Sequence, residues 1–358
     1  AAQRPLEPLG EVRILDGERS IGRVPSARYC SGCRRSRLLG ASVSLSVLVL
    51  AAGEGTRMKS KLPKVLHPVL GRPMLGHVLN AVAQLAPLNQ VVVTGAGREA
   101  VEAWVSANHP TAIAVEQSPR NGTGHAVRIA LAELSARGVA LGDEVMVITG
   151  DTPLLTSETL ESLLDAHRAA GAAATVLTAK LSDPTGYGRI VRDEAGLVSR
   201  IVEHRDATAA ELEIDEINSG MYVFAAAELG RVLERITTDN SQGEEYLTDA
   251  LALLRAAGSK VAAVAVADPA DVNGVNDRAQ LAAAAAILRD RINLAWLRAG
   301  VSIVDPASTW IESDVVIAPD AVIEPNTFLK GTTAIAADAV VGPDTTLVDC
   351  VVEAGAHV

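Results

Sequence analysis

The chain has 358 residues, of which 48% are hydrophobic and only 3% aromatic. That length can bury one large core or two modest ones without disulfides, and so few aromatic residues leave little surface on which single-stranded nucleic acid could stack. The formal net charge of −11 also argues against a nucleic-acid partner. We expect no membrane segment, because no apolar run approaches the ~18 residues that a membrane-spanning helix needs.

The first 43 residues show neither a helical nor a strand period, and they hold eight arginines against four acidic residues. We predict a poorly ordered extension over residues 1–43, without the apolar core of a signal peptide. Cys30 and Cys33 lie in this segment with no second Cys/His pair nearby, so we expect no functional role for them. With Cys350 as the remaining cysteine, the composition is typical of a reducing cytoplasm.

From Ser44 onward, short apolar runs alternate with longer amphipathic ones. Strands are predicted at residues 45–50, 90–94, 112–116, 144–149, 174–178, 221–224 and 260–266. Helices are predicted at residues 74–85, 98–107, 124–136, 157–169, 226–236 and 245–257. The alternation favours an α/β fold with a doubly wound, mainly parallel, Rossmann-like sheet, in which ligands bind beyond the carboxyl ends of the strands.

Residues 277–299 read as one long helix that ends at Gly300 and connects two bodies. After it, a large apolar residue recurs every six positions: Ile311, Ile317, Ile323, Leu329, Ile335, Val341 and Leu347, with a slip of one residue before Val352 and Val358. A six-residue period predicts a left-handed parallel β-helix of hexapeptide repeats rather than ordinary hairpins. Because only two or three coils fit before Val358, we expect a truncated β-helix. The predicted domains are residues 1–43 (extension), 44–277 (α/β), 278–300 (linker helix) and 301–358 (β-helix).

The stretch LAAGEGTRMKSKLPKVLH, residues 50–67, follows the first predicted strand. Its spacing is not that of a P-loop, because Lys59 lies four residues beyond Gly55 rather than next to it. It is not that of a dinucleotide-binding loop either, because Met58 stands where the third glycine should be. What remains is a flexible turn that can face an anion, with Arg57 and Lys64 supplying positive charge. Lys59 and Lys61 read more simply as solvated surface lysines.

Two further residues could bind a cation. Asp151 follows a predicted buried strand, where a carboxylate can bind a hard metal ion or merely form a turn. Asn276 precedes the long helix and could offer an amide oxygen or cap that helix. The residues alone leave these alternatives open.

The motifs GTGHA, GDTPLL, GYGRI, IVEH, INSGMYVF, EEYLTD and GVNDR follow LAAGEGTRM in order. Together they make the chain from about Val47 onward resemble the bacterial bifunctional N-acetylglucosamine-1-phosphate uridylyltransferases and glucosamine-1-phosphate N-acetyltransferases. LAAGEGTRM alone resembles sugar nucleotidyltransferases in general. The later motifs and the hexapeptide tail narrow the resemblance to the bifunctional family, in which residues 44–277 would be the uridylyltransferase domain.

The resemblance implies a role for each matching residue. Arg57 and Lys64 would neutralise the triphosphate. The backbone of Leu50, Ala51, Ala52 and Gly53 would line the nucleotide, and Gln117 would read the uracil edge beside Gly122 and Thr123. Asp151 and Asn276 would hold Mg²⁺. Gly188, Glu203 and Asn218 would bind the sugar.

The implied reaction joins UTP and N-acetylglucosamine 1-phosphate to give UDP-N-acetylglucosamine and pyrophosphate, for cell-wall precursors. We expect a cytoplasmic enzyme and a homotrimer formed through the β-helix, weakened by the truncation, and no acetyltransferase activity because the coils that would carry it lie beyond Val358. The alternatives are a glucose-1-phosphate uridylyl- or thymidylyltransferase, or a catalytically silent trimerising module.

Overall fold

The computed structural model describes residues 43–358 and, before them, only the backbone of the strand Arg13–Ile14. The predictions of a poorly ordered extension and of inert Cys30 and Cys33 therefore lie outside the described residues. Over the part of the chain that is described, no helix is both long enough and apolar enough to span a bilayer.

The strands and helices are numbered in chain order. The strands are Arg13–Ile14 (β1), Leu45–Ala51 (β2), Pro68–Val69 (β3), Arg72–Pro73 (β4), Asn89–Thr94 (β5), Ile113–Glu116 (β6), Glu144–Thr149 (β7), Ala174–Lys180 (β8), Arg189–Arg192 (β9), Val198–Val202 (β10), Glu216–Ala225 (β11), Val261–Ala265 (β12), Ser302–Ile303 (β13), Trp310–Ile311 (β14), Val316–Ile317 (β15), Val322–Ile323 (β16), Phe328–Lys330 (β17), Ala334–Ile335 (β18), Val340–Val341 (β19), Thr346–Val348 (β20) and Cys350–Val352 (β21). The α-helices are Met74–Gln84 (α1), Arg98–Asn108 (α2), Thr123–Ala136 (α3), Ser157–Ala170 (α4), Ala209–Leu212 (α5), Ala226–Leu233 (α6), Asp249–Ala256 (α7) and Arg278–Arg298 (α8).

The described residues form two compact units, one of residues 43–67 and 73–281 and the other of residues 68–72 and 282–358 with β1. The first unit contains a mixed sheet in the order β6-β5-β2-β7-β11-β8-β12, and β9 and β10 extend it beside β11. Within the main path only β11 runs against its neighbours. The predicted mainly parallel, Rossmann-like α/β sheet is confirmed.

The helices of this unit cover both faces of the sheet, because each has an apolar side to bury. One hydrophobic core joins the sheet to α1, α2 and α4, represented by Leu75, Val101 and Leu160. The other joins it to α3, α6 and α7. The sheet is therefore doubly wound, as predicted.

In the second unit, short parallel strands stack in three sheets, β13-β16-β19, β14-β17-β20 and β15-β18-β21. Ile311 pairs with Leu329 and Leu329 with Leu347, so that every third hexapeptide lies on the same face. The slip read from the sequence is present as well, because Ile335 pairs with Val352. The large residue of each repeat points into a buried core, which is the packing that a parallel β-helix requires.

The C-terminal part of α8 closes one end of this core. Asn293 is 1% exposed, and its Nδ2 donates to the carbonyl oxygens of Pro306 and Thr309, both at 2.9 Å. The Arg289 guanidinium lies 4.8 Å from the centre of the Trp310 ring. These contacts fix the first coil against the helix. The predicted domain limits stay a prediction.

Candidate active site

The candidate site lies where the parallel strands of the first unit end. Gly53 follows β2, Gly95 follows β5, Gln117 follows β6 and Asp151 follows β7. Since these four strands are neighbours and run in the same direction, their carboxyl ends meet at one edge of the sheet. A backbone hydrogen bond connects the ends of β2 and β7 there, because the Gly150 N–H donates to the Leu50 carbonyl at 2.9 Å.

A cavity of about 580 Å³ opens at this edge. Nine of the residues that line it were predicted from the sequence: Leu50, Ala51, Ala52, Gly53, Lys64, Gln117, Gly122, Thr123 and Asp151. Six others were not: Glu54, Val65, Arg120, Ala126, Thr149 and Glu244. The predicted Arg57, Gly188, Glu203, Asn218 and Asn276 are not among the lining residues.

Lys64 connects the two predicted metal ligands. Its Nζ donates to Asp151 Oδ2 and, at 3.1 Å, to Asn276 Oδ1. The Val275 N–H donates to the Asp151 carbonyl at 2.9 Å, which brings the loop before α8 to the end of β7. Two oxygens from distant parts of the chain therefore already converge on one cation.

This donor set fits Mg²⁺. A magnesium ion is commonly bound by one or two carboxylates together with substrate phosphates, rather than by a cage of protein groups. The described part of the chain contains no cluster of three or more His, Cys, Asp or Glu side chains suited to a metal ion. Asn276 does not cap the long helix α8. Asp277 does so, because its Oδ1 accepts from the Gln280 N–H at 2.8 Å.

The glycine turn sets the position of Lys64. Gly55 has φ +62°, and a Cβ placed on it would lie 2.5 Å from Lys64 Cβ. Only a residue without a side chain lets the two segments approach so closely. Arg57 lies on the following 3₁₀ turn, Thr56–Met58, where it is exposed. The Met58 carbonyl of that turn accepts from Arg278 Nε at 3.1 Å, which anchors it.

Gln117 is buried, and its amide is held in one orientation. Its Nε2 donates to the Gly122 carbonyl at 2.8 Å and lies 3.3 Å from His125 Nδ1. Burial lowers the pKa of His125 and so favours the neutral ring. If His125 Nδ1 is the acceptor of the second contact, both amide protons of Gln117 are engaged and Oε1 stays available as an acceptor.

Gly122 and Thr123 are fixed by the segment before α7. The Glu245 N–H donates to the Asn121 carbonyl at 2.8 Å, and the Leu247 N–H donates to Thr123 Oγ1 at 3.0 Å. A Cβ on Gly122, which has φ +102°, would lie 2.5 Å from the Glu245 carbonyl oxygen. The glycine is therefore needed for backbone contact, and the contact shapes this wall of the cavity.

The three residues predicted to bind the sugar lie together. A Cβ on Gly188 would be 3.3 Å from Glu203 Oε2 and 3.5 Å from Asn218 Cβ. Asn218 Oδ1 accepts from the Tyr222 hydroxyl at 2.9 Å. Burial raises the pKa of the Glu203 carboxyl, and the nearby charge of Asp206 raises it further. Burial likewise raises the pKa of Tyr222.

The bulge of β11 joins this group to the cavity. Gly220 in the bulge has φ +78°, and a Cβ there would lie 3.3 Å from Thr149 Cγ2, which lines the cavity. Sequence reasoning missed Thr149, although it immediately precedes the GDTPLL motif. It also missed Arg120, which lies between the predicted Gln117 and Gly122. In both cases the only sequence signal for a site residue was its position close to a predicted motif or site residue.

A glycine turn and two cationic side chains, Lys64 and Arg120, beside a cavity at the carboxyl edge of a doubly wound sheet are typical of nucleotide-binding α/β domains. The chain belongs to the family of MobA-like NTP transferase domains, whose model matches residues 47–252.

Similar curated proteins carry the name Bifunctional protein GlmU. The one from Thermobifida fusca is 53% identical over 292 residues, which are 82% of this chain and 60% of that protein. The one from Paenarthrobacter aurescens is 53% identical over 313 residues, 87% of this chain and 63% of its own length. The one from Exiguobacterium sp. is 49% identical over 282 residues, 79% of this chain and 61% of its own length. This chain thus spans less than two thirds of each of these relatives.

Proposed function

We propose that the chain transfers uridylyl from UTP to N-acetylglucosamine 1-phosphate, giving UDP-N-acetylglucosamine and pyrophosphate. One observation carries the proposal: Lys64 contacts both Asp151 and Asn276 beside a cavity that Gln117 also lines. Residues that the resemblance assigns to the nucleotide and to the metal thus come together from distant parts of the chain.

The phosphate of the sugar attacks the α-phosphorus of UTP, and pyrophosphate leaves. A phosphate monoester has its second pKa near ~6, so it is largely a dianion at neutral pH and needs no general base. The protein has to align the two substrates and offset the negative charge. In this proposal Lys64 and Arg57 supply that positive charge, and Gln117 Oε1 accepts from the base.

Asp151 and Asn276 would hold Mg²⁺, which when bound neutralises phosphate oxygens. Lys64, which contacts both side chains in the free protein, would then turn to the phosphates.

Glu203 and Asn218 would orient the sugar. The raised pKa of Glu203 comes from burial, and a partly desolvated carboxylate makes stronger hydrogen bonds to hydroxyl groups than an exposed one. Gly188 leaves room for the ring, because a side chain there would meet Glu203 and Ile201.

The test is the release of pyrophosphate by the purified chain with UTP, Mg²⁺ and N-acetylglucosamine 1-phosphate. Parallel reactions replace the sugar phosphate by glucose 1-phosphate, replace UTP by dTTP or CTP, or add EDTA. We expect rapid release only in the complete mixture. Equal rates with glucose 1-phosphate or dTTP would refute the substrate assignment, and full activity in EDTA would refute the metal.

We further propose that the β-helix unit mediates a homotrimer. The support is the hexapeptide packing, since β-helices of this family assemble around a common axis. Light scattering should give the mass of three chains, and a mass of one chain across the micromolar range refutes the proposal. Because the substrates are intracellular metabolites, we expect the reaction to take place in the cytoplasm.

A further inference from the structure

Glu54 lies between Gly53 and Gly55, in the turn that the sequence predicts to face an anion and whose first residues the resemblance places along the nucleotide. A carboxylate in an anion-binding turn opposes binding, because like charges repel. The structure pairs it with Arg120, whose Nη2 lies 2.5 Å from Glu54 Oε1. Both side chains line the 580 Å³ cavity and also a second cavity, of about 470 Å³, beside it.

Arg120 is aimed at the site by packing. A Cβ on Gly95 would lie 3.0 Å from Arg120 Cδ and 2.8 Å from the Ala52 carbonyl oxygen. The aliphatic part of the arginine therefore lies over the backbone that ends β2 and β5, close to the turn. Its guanidinium is held where a phosphate on that turn would be within reach.

The pair with Glu54 is weak enough to exchange. The two side chains are 39% and 58% exposed, and ion pairs with such exposure contribute little to stability. A triphosphate carries several negative charges, and two oxygens of one phosphate can accept two parallel hydrogen bonds from the planar guanidinium of arginine. The nucleotide is therefore the stronger partner.

We propose that Arg120 is an exchanging nucleotide ligand: it pairs with Glu54 in the free protein and with a phosphate of the nucleotide in the complex. Glu54 keeps the arginine over the turn before the substrate arrives, at the cost of some affinity. The proposal rests on the proposed function for the identity of the nucleotide, but it applies to any nucleoside triphosphate bound in this cavity.

A simpler role has to be distinguished from this one, in which Arg120 only neutralises Glu54 and touches no phosphate. Both roles predict weaker binding in Arg120→Ala and tighter binding in Glu54→Gln. They differ in the double variant, because an arginine that only neutralises Glu54 has nothing left to do once Glu54 is gone.

The experiment measures the dissociation constants of UTP, dTTP and ATP with Mg²⁺ by calorimetry, for the wild type, Arg120→Ala, Glu54→Gln and the double variant. We expect Arg120→Ala to weaken binding of the preferred nucleotide by about tenfold, the effect of one partly exposed charged hydrogen bond. In the Glu54→Gln background the same change should cost at least as much, and its effect should shrink at high salt. Arg137→Ala and Glu133→Gln are the matched controls and should leave the dissociation constants unchanged; these two residues form an exposed ion pair of 2.8 Å at the C-terminal end of α3.

A double variant that binds as tightly as Glu54→Gln alone, or an Arg120→Ala variant with unchanged affinity, overturns the proposal while leaving the proposed function intact. A wild type that prefers dTTP or ATP refutes the proposed function, and the Arg120 comparison is then made with that nucleotide. A folded wild type that binds none of the three overturns both.

Discussion

The substitution Gly55→Ala should displace Lys64 while leaving its positive charge in place, so it tests whether catalysis depends on the position of the lysine. The added methyl group would lie 2.5 Å from Lys64 Cβ, 3.3 Å from Cγ and 3.4 Å from Cδ. Since the nearest of these atoms is fixed to the backbone, rotation of the lysine side chain cannot relieve the clash. The loop that carries Lys64 must move, and Nζ must move away from Asp151 and Asn276.

Two effects can be estimated. A left-handed conformation costs an alanine about 1–2 kcal/mol, which in a domain of this size lowers Tm by about 2–8 °C. A displacement of about 1 Å in a positioned catalytic group can cost about 10² in rate. We therefore expect kcat for pyrophosphate release to fall by about 10² in Gly55→Ala, well beyond what its modest loss of stability explains.

The matched control is Gly138→Ala. Gly138 has φ +67°, nearly the same as Gly55, but a Cβ there meets nothing within 4 Å. Both variants should lose similar stability through backbone strain, and only Gly55→Ala should lose activity. The reasoning is refuted if the two variants, both folded by circular dichroism, have kcat values within twofold of each other.

Three other outcomes follow from the site. Lys64→Ala and Arg57→Ala should each lower kcat by about 10²–10³, as loss of a preorganised charge does; a folded variant with a near-normal rate would remove that residue from the mechanism. Gly188→Ala should raise KM for the sugar phosphate several-fold and leave KM for UTP unchanged, because its Cβ would meet Glu203 Oε2 at 3.3 Å; a change in KM for UTP alone would contradict this. Burial raises the pKa of Glu203 in the folded protein above its value in the unfolded chain. The native state therefore loses stability as the pH rises from the unfolded-state pKa to the folded-state pKa, and this loss remains at higher pH. The free energy of unfolding of Glu203→Gln should therefore improve relative to wild type between pH 4 and pH 8, and denaturant titrations that show no trend would refute the assignment.

The sequence predicted the elements whose side chains are apolar. The runs that became β2, β5 and β7 are rich in branched apolar residues that are buried on both faces, and such runs are typical of strands in a parallel sheet. The hexapeptide period was equally specific, down to the slip that pairs Ile335 with Val352. In these segments the order of apolar residues along the chain is enough to predict which side chains are buried in the fold.

Prediction was wrong where polar residues are buried by tertiary contacts. The strand predicted at residues 221–224 is Glu216–Ala225 in the structure, because Asn218 and Ser219 are buried with hydrogen-bond partners. Strands β9 and β10 were missed altogether. The helix predicted from residue 245 begins at Asp249, since Glu245 and Leu247 bind the loop at residues 121–123 instead. The local sequence pattern does not show which distant residue will be the hydrogen-bond partner of a polar group.

The contact between Lys64 and Asp151 leads to a last prediction, about whether a divalent cation binds to the protein before the nucleotide does. In the free protein the lysine ammonium lies between Asp151 and Asn276, the two proposed metal ligands, and its side chain is only 12% exposed. A divalent cation without nucleotide must therefore displace or approach a fixed positive charge. Lys64→Ala should bind Mn²⁺ in the absence of nucleotide at least about tenfold more tightly than wild type, although it turns over more slowly. Electron paramagnetic resonance of free Mn²⁺ measures both affinities, and Asp151→Asn should abolish the gain. Equal Mn²⁺ affinity in wild type and Lys64→Ala would show that the lysine leaves the carboxylate freely, and that metal and nucleotide need not arrive together.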